Sequence, residues 1–322
     1  MTKDRTQKIR IGLIGLGNMG RNHLRVLSIM KGVEIAFIYD QDPAKTKEAC
    51  SIYDVNSSKD LNSSLSDVDA VIICTPTVTH SDMLRTVGKM VKNIFIEKPL
   101  SNNLNNSMAD VDYISKAQLS VQVGFIERFN PVIVQLQKVL NAGNSIVNLD
   151  LTRTNNLSSR ITDVDVISDL MIHDIDLAIF INGPVSNVFS SGYVENGMIA
   201  LATANLEHAN GSFSRIHASR ITNKKIRRLQ VTCLDSFIDC ELVRKELIIN
   251  KQSKIDQVKN DMYTISGEEH IIEVPQQEAL MSELLAFVEM CKSGHASGPD
   301  EKDGLNAEII CSKIRDGIGK WA

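Results

Sequence analysis

The chain has 322 residues, more than one compact core of usual size holds, so about two domains are expected. Hydrophobic residues at 43%, charged residues at 23% and aromatics at 5% describe a globular chain with an aliphatic core, and exclude disordered and fibrous classes. Thirty-five basic against thirty-nine acidic residues leave a net charge of -4 with no long single-sign block, which argues against nucleic acid and against an anionic membrane surface as partners.

The opening Met1-Thr2-Lys3-Asp4-Arg5 is polar and runs into a strand-like segment, leaving no apolar region for a signal peptide. No later stretch reaches the ~20 uninterrupted apolar residues of a membrane span. A soluble, cytoplasmic protein is expected. Cys50, Cys74, Cys233, Cys240, Cys291 and Cys311 are scattered with no CxxC pair, which fits reduced thiols better than a disulfide frame or a zinc site.

From Lys8 to Gly124, short apolar runs alternate with amphipathic stretches, the pattern of parallel strands joined by crossover helices. The expected strands are Ile9 to Ile14, Val33 to Tyr39, Ala70 to Cys74, Ile94 to Ile96 and Ser120 to Val123. The expected helices are Met19 to Ile29, Pro43 to Tyr53, Ser81 to Val91 and Leu104 to Lys116, with starts near Pro43 and Asn103.

Gly15-Leu16-Gly17-Asn18-Met19-Gly20 follows the first strand and opens the first helix, where a dinucleotide pyrophosphate needs close backbone approach and helix N-terminal amides. Gly15 would make the tight turn, Gly17 would admit phosphates, and Gly20 would let helix and strand pack closely. A bare glycine-rich turn is the alternative. Asp40 closes the second strand, placed to accept hydrogen bonds from the adenosine ribose hydroxyls. NAD is therefore expected over NADP, because a 2′-phosphate would meet Asp40 as a like charge and Gln41-Asp42-Pro43 offers no arginine.

The next two strands end in Cys74-Thr75-Pro76-Thr77-Val78-Thr79-His80 and in Glu97-Lys98-Pro99, opening onto the same carboxyl edge. Pro99 keeps Lys98 extended and makes a cis bond affordable there. His80 either lines the cofactor loop or only begins a helix.

After Gly124 the rhythm changes. Asn130-Pro131 introduces a helix to Leu140, and Gly143-Asn144-Ser145 turns the chain into a strand from Ile146 to Thr154. Asp169 and His173, four apart at the start of an amphipathic helix running through Phe180, share a face and suit proton transfer. Strands around Val185 to Val194, Met198 to Leu206, Ser212 to Ala218 and Leu229 to Cys240 suggest a largely antiparallel sheet. The basic run Lys224-Lys225-Ile226-Arg227-Arg228 reads as a solvated edge. Helices return at Glu278 to Lys292 and Leu305 to Ile318, and Trp321 stands beside the terminus. The expected division is therefore residues 1–124 and 125–322. The remaining histidines, His23, His208, His217, His270 and His295, show no metal-ligand spacing, and no metal is expected.

Together, Gly15-x-Gly17-x-x-Gly20, Thr75-Pro76 with His80, Glu97-Lys98-Pro99 and Asp169-x-x-x-His173 resemble the family of glucose-fructose oxidoreductase, inositol dehydrogenase and MocA. Glu127-Arg128-Phe129-Asn130-Pro131 and Asp163-Val164-Asp165-Val166, leading into Asp169 to Asp176, are similar to its sugar-nucleotide branch, the UDP-N-acetylglucosamine 3-dehydrogenases of lipid A biosynthesis. The resemblance implies a Rossmann domain, then an α/β domain whose open sheet serves in a homodimer or homotetramer.

It also implies NAD as cofactor, held by Gly15, Gly17, Asn18, Met19, Gly20, Asp40, Thr75, Pro76, His80, Glu97 and Lys98. His173 would take the hydroxyl proton, Lys98 would hydrogen-bond the oxygen, and Asp169 would position substrate and base. Arg128, Asn130 and Arg153 are candidate contacts for the uridine diphosphate, beside Asp169 and His173 at the sugar. The expected reaction is oxidation of a nucleotide-sugar ring hydroxyl, with UDP-N-acetylglucosamine giving a 3-keto sugar for an aminotransferase. The alternatives are a free-sugar or inositol dehydrogenase, an NAD-dependent glycosidase, and a non-catalytic NAD-responsive regulator.

Overall fold

The first sheet explains itself from its strands, each a near-continuous apolar run that a sheet covered on both faces requires. The structure, a computed structural model, describes residues 8–156, 164–258, 262–295 and 298–319. Trp321, Asp163 and Met1 to Arg5 lie outside the described residues. Strands β1 (Ile9–Ile14), β2 (Val33–Tyr39), β3 (Ala70–Ile73), β4 (Asn93–Glu97) and β5 (Ser120–Gly124) pair in the order β2-β1-β3-β4-β5, all parallel. In that order the chain reverses direction between β1 and β3, and ligands bind at the carboxyl ends beside such a switch point.

Helices α1 (Asn18–Ile29), α2 (Pro43–Tyr53), a short α3 (Leu61–Leu65), α4 (His80–Gly88) and α5 (Leu104–Ala117) connect these strands. Their starts follow local chemistry. Asp42 accepts from the Ala44 N–H ahead of Pro43, and Asn103 accepts from the Asn106 N–H, so both expected starts are found.

The chain forms two compact units, Met1–Ile126 with Ala279–Glu308, and Glu127–Glu278 with Ile309–Ala322. Helix α8 (Ala279–Ser293) belongs to the first unit, where Leu280, Leu284 and Phe287 join Ile9, Ile11, Leu13, Leu24 and Leu27 in one core. The linear reading assigned this helix to the second domain, because periodicity shows that an apolar stripe exists but not which sheet it covers. Each such side chain contributes about 1.5–3 kcal/mol of burial. Helix α9 (Glu301–Ile318) gives its residues through Glu308 to the first unit and the rest to the second.

The second unit holds helix α6 (Pro131–Asn141) and an eight-stranded sheet in the order β13-β12-β11-β10-β6-β9-β8-β7. Its strands are β6 (Ile146–Asn156), β7 (Val185–Glu195), β8 (Met198–His208), β9 (Phe213–Ser219), β10 (Ile221–Cys233), β11 (Ser236–Glu241), β12 (Glu246–Val258) and β13 (Met262–Ile272). All neighbours are antiparallel except β6 and β9. The single strand expected over Leu229 to Cys240 is two, since the chain turns between Cys233 and Ser236 and Leu229 pairs with Cys240.

The basic run Lys224 to Arg228 lies in β10, in register with β6 from Ile226 and with β11 only from Arg228, and Lys224, Lys225 and Arg228 are exposed. A turn of π-helix over Ile167–Met171 leads into α7 (Ile172–Asn182), where one continuous α-helix was expected. Among the described residues no helix is long and apolar enough to cross a membrane.

Candidate active site

Gly15 has φ +94°, and a Cβ there would lie 2.5 Å from the Cys74 carbonyl oxygen. A Cβ on Gly20 would lie 1.9 Å from the Gly15 carbonyl oxygen, so the turn closes only with hydrogen at both positions. Gly17 is different. Nothing lies within 4 Å of the Cβ it lacks, and it faces a cavity of about 830 Å³. It also caps α1 without any side-chain bond, and a helix N-terminus beside a cavity is the arrangement that receives a phosphate group.

Asp40 holds the far wall. Its Oδ2 accepts from the Leu16 N–H at 2.7 Å and its Oδ1 from the Asp42 N–H at 2.9 Å, so the carboxylate is tied to the glycine turn. Lys45 Nζ lies 3.7 Å from Oδ1, a cation near this carboxylate that the sequence reading passed over.

The loops after β3 and β4 complete the cavity with Thr75, Pro76, His80, Glu97 and Lys98. Met19 lines it too, whereas Asn18 and Gly20 do not, Gly20 serving underneath as the packing glycine. His80 does both things that the sequence left open: it begins α4 and lines the cavity. Its Nδ1 lies 2.9 Å from the Pro99 carbonyl oxygen and its Nε2 3.0 Å from that of Thr75, so one ring bridges the two loops. Burial pushes its pKa down, and those carbonyls oppose the shift.

A contact that sequence reasoning missed lies behind Lys98. His23 Nε2 is 2.7 Å from Glu97 Oε1, and Glu97 Oε2 accepts from the Lys98 N–H at 3.3 Å. His23 is fully buried on α1, on the stripe of Gly20, Leu24 and Leu27; that spacing was the available signal. Cys74 is near enough that donor atoms of His23, Cys74 and Glu97 lie within 4.8 Å of one another. The Cys74 thiol is pushed well up by burial and by the neighbouring Glu97 and Glu283 carboxylates.

In the second unit, every aspartate from 165 to 176 faces an arginine. Arg315 Nε donates to Asp165 at 2.7 Å, Arg153 donates to both oxygens of Asp174 at 2.8 and 2.7 Å, and Arg128 to both of Asp176 at 2.8 and 2.6 Å. Arg220 and Asp169 are 3.7 Å apart. Asp169 lies in the π turn and His173 in the first turn of α7, and π turns concentrate at functional positions.

Arg128, Asn130 and Arg153 differ from their expected place as diphosphate contacts. Arg153 is 3% exposed and also donates to Glu127 at 2.7 Å, so two carboxylates engage its fork. Burial disfavours its charge, but Asp174 and Glu127 more than restore it and its pKa is raised. Arg128 lies over the Phe180 ring at 4.6 Å. Asn130 caps α6, accepting from the Val132 N–H at 3.1 Å and donating to Glu127 at 3.1 Å. Of the expected catalytic residues, Lys98 belongs to the first unit, Asp169 and His173 to the second.

Residues 9–125 match the family described as "Oxidoreductase family, NAD-binding Rossmann fold". The chain is 28% identical over 244 residues to a UDP-N-acetylglucosamine 3-dehydrogenase of Acidithiobacillus ferrooxidans, covering 75% of this chain and 76% of that protein. It is 26% identical over 320 residues to an inositol 2-dehydrogenase of Rhizobium meliloti, covering 93% of each. Among solved structures, the Acidithiobacillus ferrooxidans enzyme superposes with TM-score 0.88 at 23% identity, covering 98% of each chain. A levoglucosan dehydrogenase in complex with NADH superposes with TM-score 0.84 at 20% identity, again covering 98% of each.

Proposed function

We propose that the chain, whose residues 9–125 match the NAD-binding oxidoreductase family, is an NAD-dependent dehydrogenase of a nucleotide-sugar ring hydroxyl, with carbon 3 of UDP-N-acetylglucosamine as the site oxidised. The observation that carries this reading is that Lys98 lines the same cavity as Gly15, Gly17 and Asp40. A cation at a strand end is thereby set at one side of the dinucleotide space. The substrate class is supported by the relative that acts on UDP-N-acetylglucosamine and by the similarity of fold to it.

In this reading NAD supplies the hydride acceptor. Gly17 and the first amides of α1 receive its pyrophosphate, and Asp40 accepts from its adenosine ribose. Lys98 donates a hydrogen bond to the substrate oxygen as negative charge develops there. His173 removes the hydroxyl proton, and Asp169, one turn before it, orients the sugar and the imidazole. The product is a 3-keto sugar suited to an aminotransferase, made by a cytoplasmic homodimer or homotetramer.

A second reading, inositol oxidation, is favoured by the identity that runs along 93% of the chain to an inositol 2-dehydrogenase. Incubating wild type and His173→Asn with NAD and either UDP-N-acetylglucosamine or myo-inositol, following NADH and identifying the product by mass, decides between them. We expect NADH with the nucleotide sugar and a fall of about 10² to 10⁴ in rate for the variant. Equal rates in the two proteins would remove His173 from its role, and NADH with inositol alone would overturn the nucleotide-sugar assignment.

A further inference from the structure

Arg227 stands directly opposite Arg153 across the antiparallel pair of β10 and β6, so the two side chains leave the same face of the sheet. That face is the inner one: Leu229 and Val231 further along β10, and their partners Leu151 and Leu149 on β6, are at most 1% exposed. Like charges opposite one another beside an apolar stripe are unfavourable unless something answers them. Arg153 is answered. It donates to both oxygens of Asp174 and to one of Glu127, whose other oxygen accepts from Asn130.

Arg227 has no such answer. Its Nη1 donates to the Thr154 carbonyl at 2.7 Å and to the Ile226 carbonyl at 2.9 Å, and among the described residues no carboxylate lies within ion-pair distance of it. Nε and Nη2 find no hydrogen-bond partner among the described residues, yet neither is buried, so this edge of a half-buried guanidinium opens to solvent. Burial and Arg153 pull its pKa down, opposed by Asp174, Glu127 and Asp169, so the charge of Asp169 also reaches it. An arginine remains a cation at neutral pH despite such a shift.

Resting on the reading that the substrate is a nucleotide sugar, we infer that Arg227 is a substrate-binding residue whose open Nε–Nη2 edge takes the diphosphate. Two parallel N–H groups match two phosphate oxygens, and the carbonyls on Nη1 fix the plane in which that edge lies. The anion would also offset the repulsion between Arg227 and Arg153, which an uncharged polyol cannot do. Charge balance is the structural alternative, with Arg153 and Arg227 set against Glu127 and Asp174. That role predicts a general loss on substitution, with no discrimination between ligands that carry a diphosphate and ligands that do not.

The test uses the full-length protein with NAD, as wild type, Arg227→Met and Arg227→Lys. Calorimetry reads the affinity for UDP, inhibition of NADH formation reads that for uridine, and NADH formation itself gives kcat and KM for UDP-N-acetylglucosamine. In Arg227→Met, UDP affinity should fall about 10- to 100-fold and KM should rise by a similar factor, while uridine affinity moves less than about threefold. Arg227→Lys, which keeps the charge and loses the fork, should lie between wild type and Arg227→Met. UDP affinity within about threefold of wild type in Arg227→Met, or UDP and uridine weakened in equal proportion, overturns the inference. Should Arg227→Met not fold, Arg227→Lys decides: UDP affinity equal to wild type, or an equal loss for uridine, overturns it. If wild type forms no NADH with UDP-N-acetylglucosamine, the functional reading fails and this inference falls with it. An active wild type with an unmoved Arg227→Met sinks this inference alone.

Discussion

His23 and Glu97, 74 positions apart, meet at 2.7 Å in the interior of the first unit, where His23 is fully buried and Glu97 is 7% exposed. The other oxygen of Glu97 takes the N–H of Lys98, so the imidazole is linked through one carboxylate to the backbone of the lysine lining the cavity. Replacing His23 by leucine leaves a buried carboxylate without that partner. We expect a loss of about 3–5 kcal/mol in stability, measured by denaturant titration. A loss below about 1 kcal/mol would show that the pair is not a stabilising contact.

Gly17 should separate binding from folding. A Cβ there meets nothing within 4 Å, so Gly17→Ala is expected to melt within a few degrees of wild type while NAD affinity falls about tenfold or more. Gly20→Ala, whose Cβ would lie 1.9 Å from a carbonyl oxygen, should instead fail to fold or melt far lower. Calorimetric NAD titration beside thermal melts checks both. Undiminished NAD affinity in Gly17→Ala would place the pyrophosphate elsewhere.

Asp40 discriminates between the two dinucleotides. Asp40→Ala removes a charged acceptor worth about 1.5–3 kcal/mol, so NAD should bind roughly 10- to 100-fold more weakly and the ratio of NADP to NAD affinity should rise. Titration of each dinucleotide into wild type and variant reads this directly. The idea does not survive a variant with unchanged preference.

Acid should destabilise the second unit through two carboxyls. Burial would raise Asp165, but Arg315 and the Ser168 N–H hold it below the usual range; burial would likewise raise Glu127, but Arg153 lowers it. Because the folded values are depressed, the stability these groups contribute is complete above the unfolded carboxylate pKa of ~4 and disappears as pH falls through the folded values. The melting temperature should therefore hold from about pH 7 to 5 and drop below ~4, and Asp165→Asn should be less stable at neutral pH with a smaller acid-induced drop. Calorimetry at graded pH checks this, and an Asp165→Asn curve parallel to wild type would refute it.

The cofactor half was legible because its requirements are local. A tight turn, an open phosphate position and a close helix contact each demand glycine at a fixed spacing, and Asp42 and Asn103 mark helix starts by bonding amides two or three residues on. The strands β12 and β13 went unread, since sequences such as Lys251-Gln252-Ser253-Lys254 carry too few apolar residues for a period-two signal.

What the order of residues determined by itself was the glycine turn, the acidic strand end, the lysine before Pro99 and the Asp169–His173 spacing, because neighbours along the chain settle each of these. Tertiary structure alone decided that α8 covers the first sheet and that His23 reaches Glu97. It also decided that Arg128 and Arg153 close on aspartates while Arg220 stays 3.7 Å from Asp169. These partners are brought together by burial of apolar faces, which sets distances between residues far apart in the chain and is invisible to periodicity.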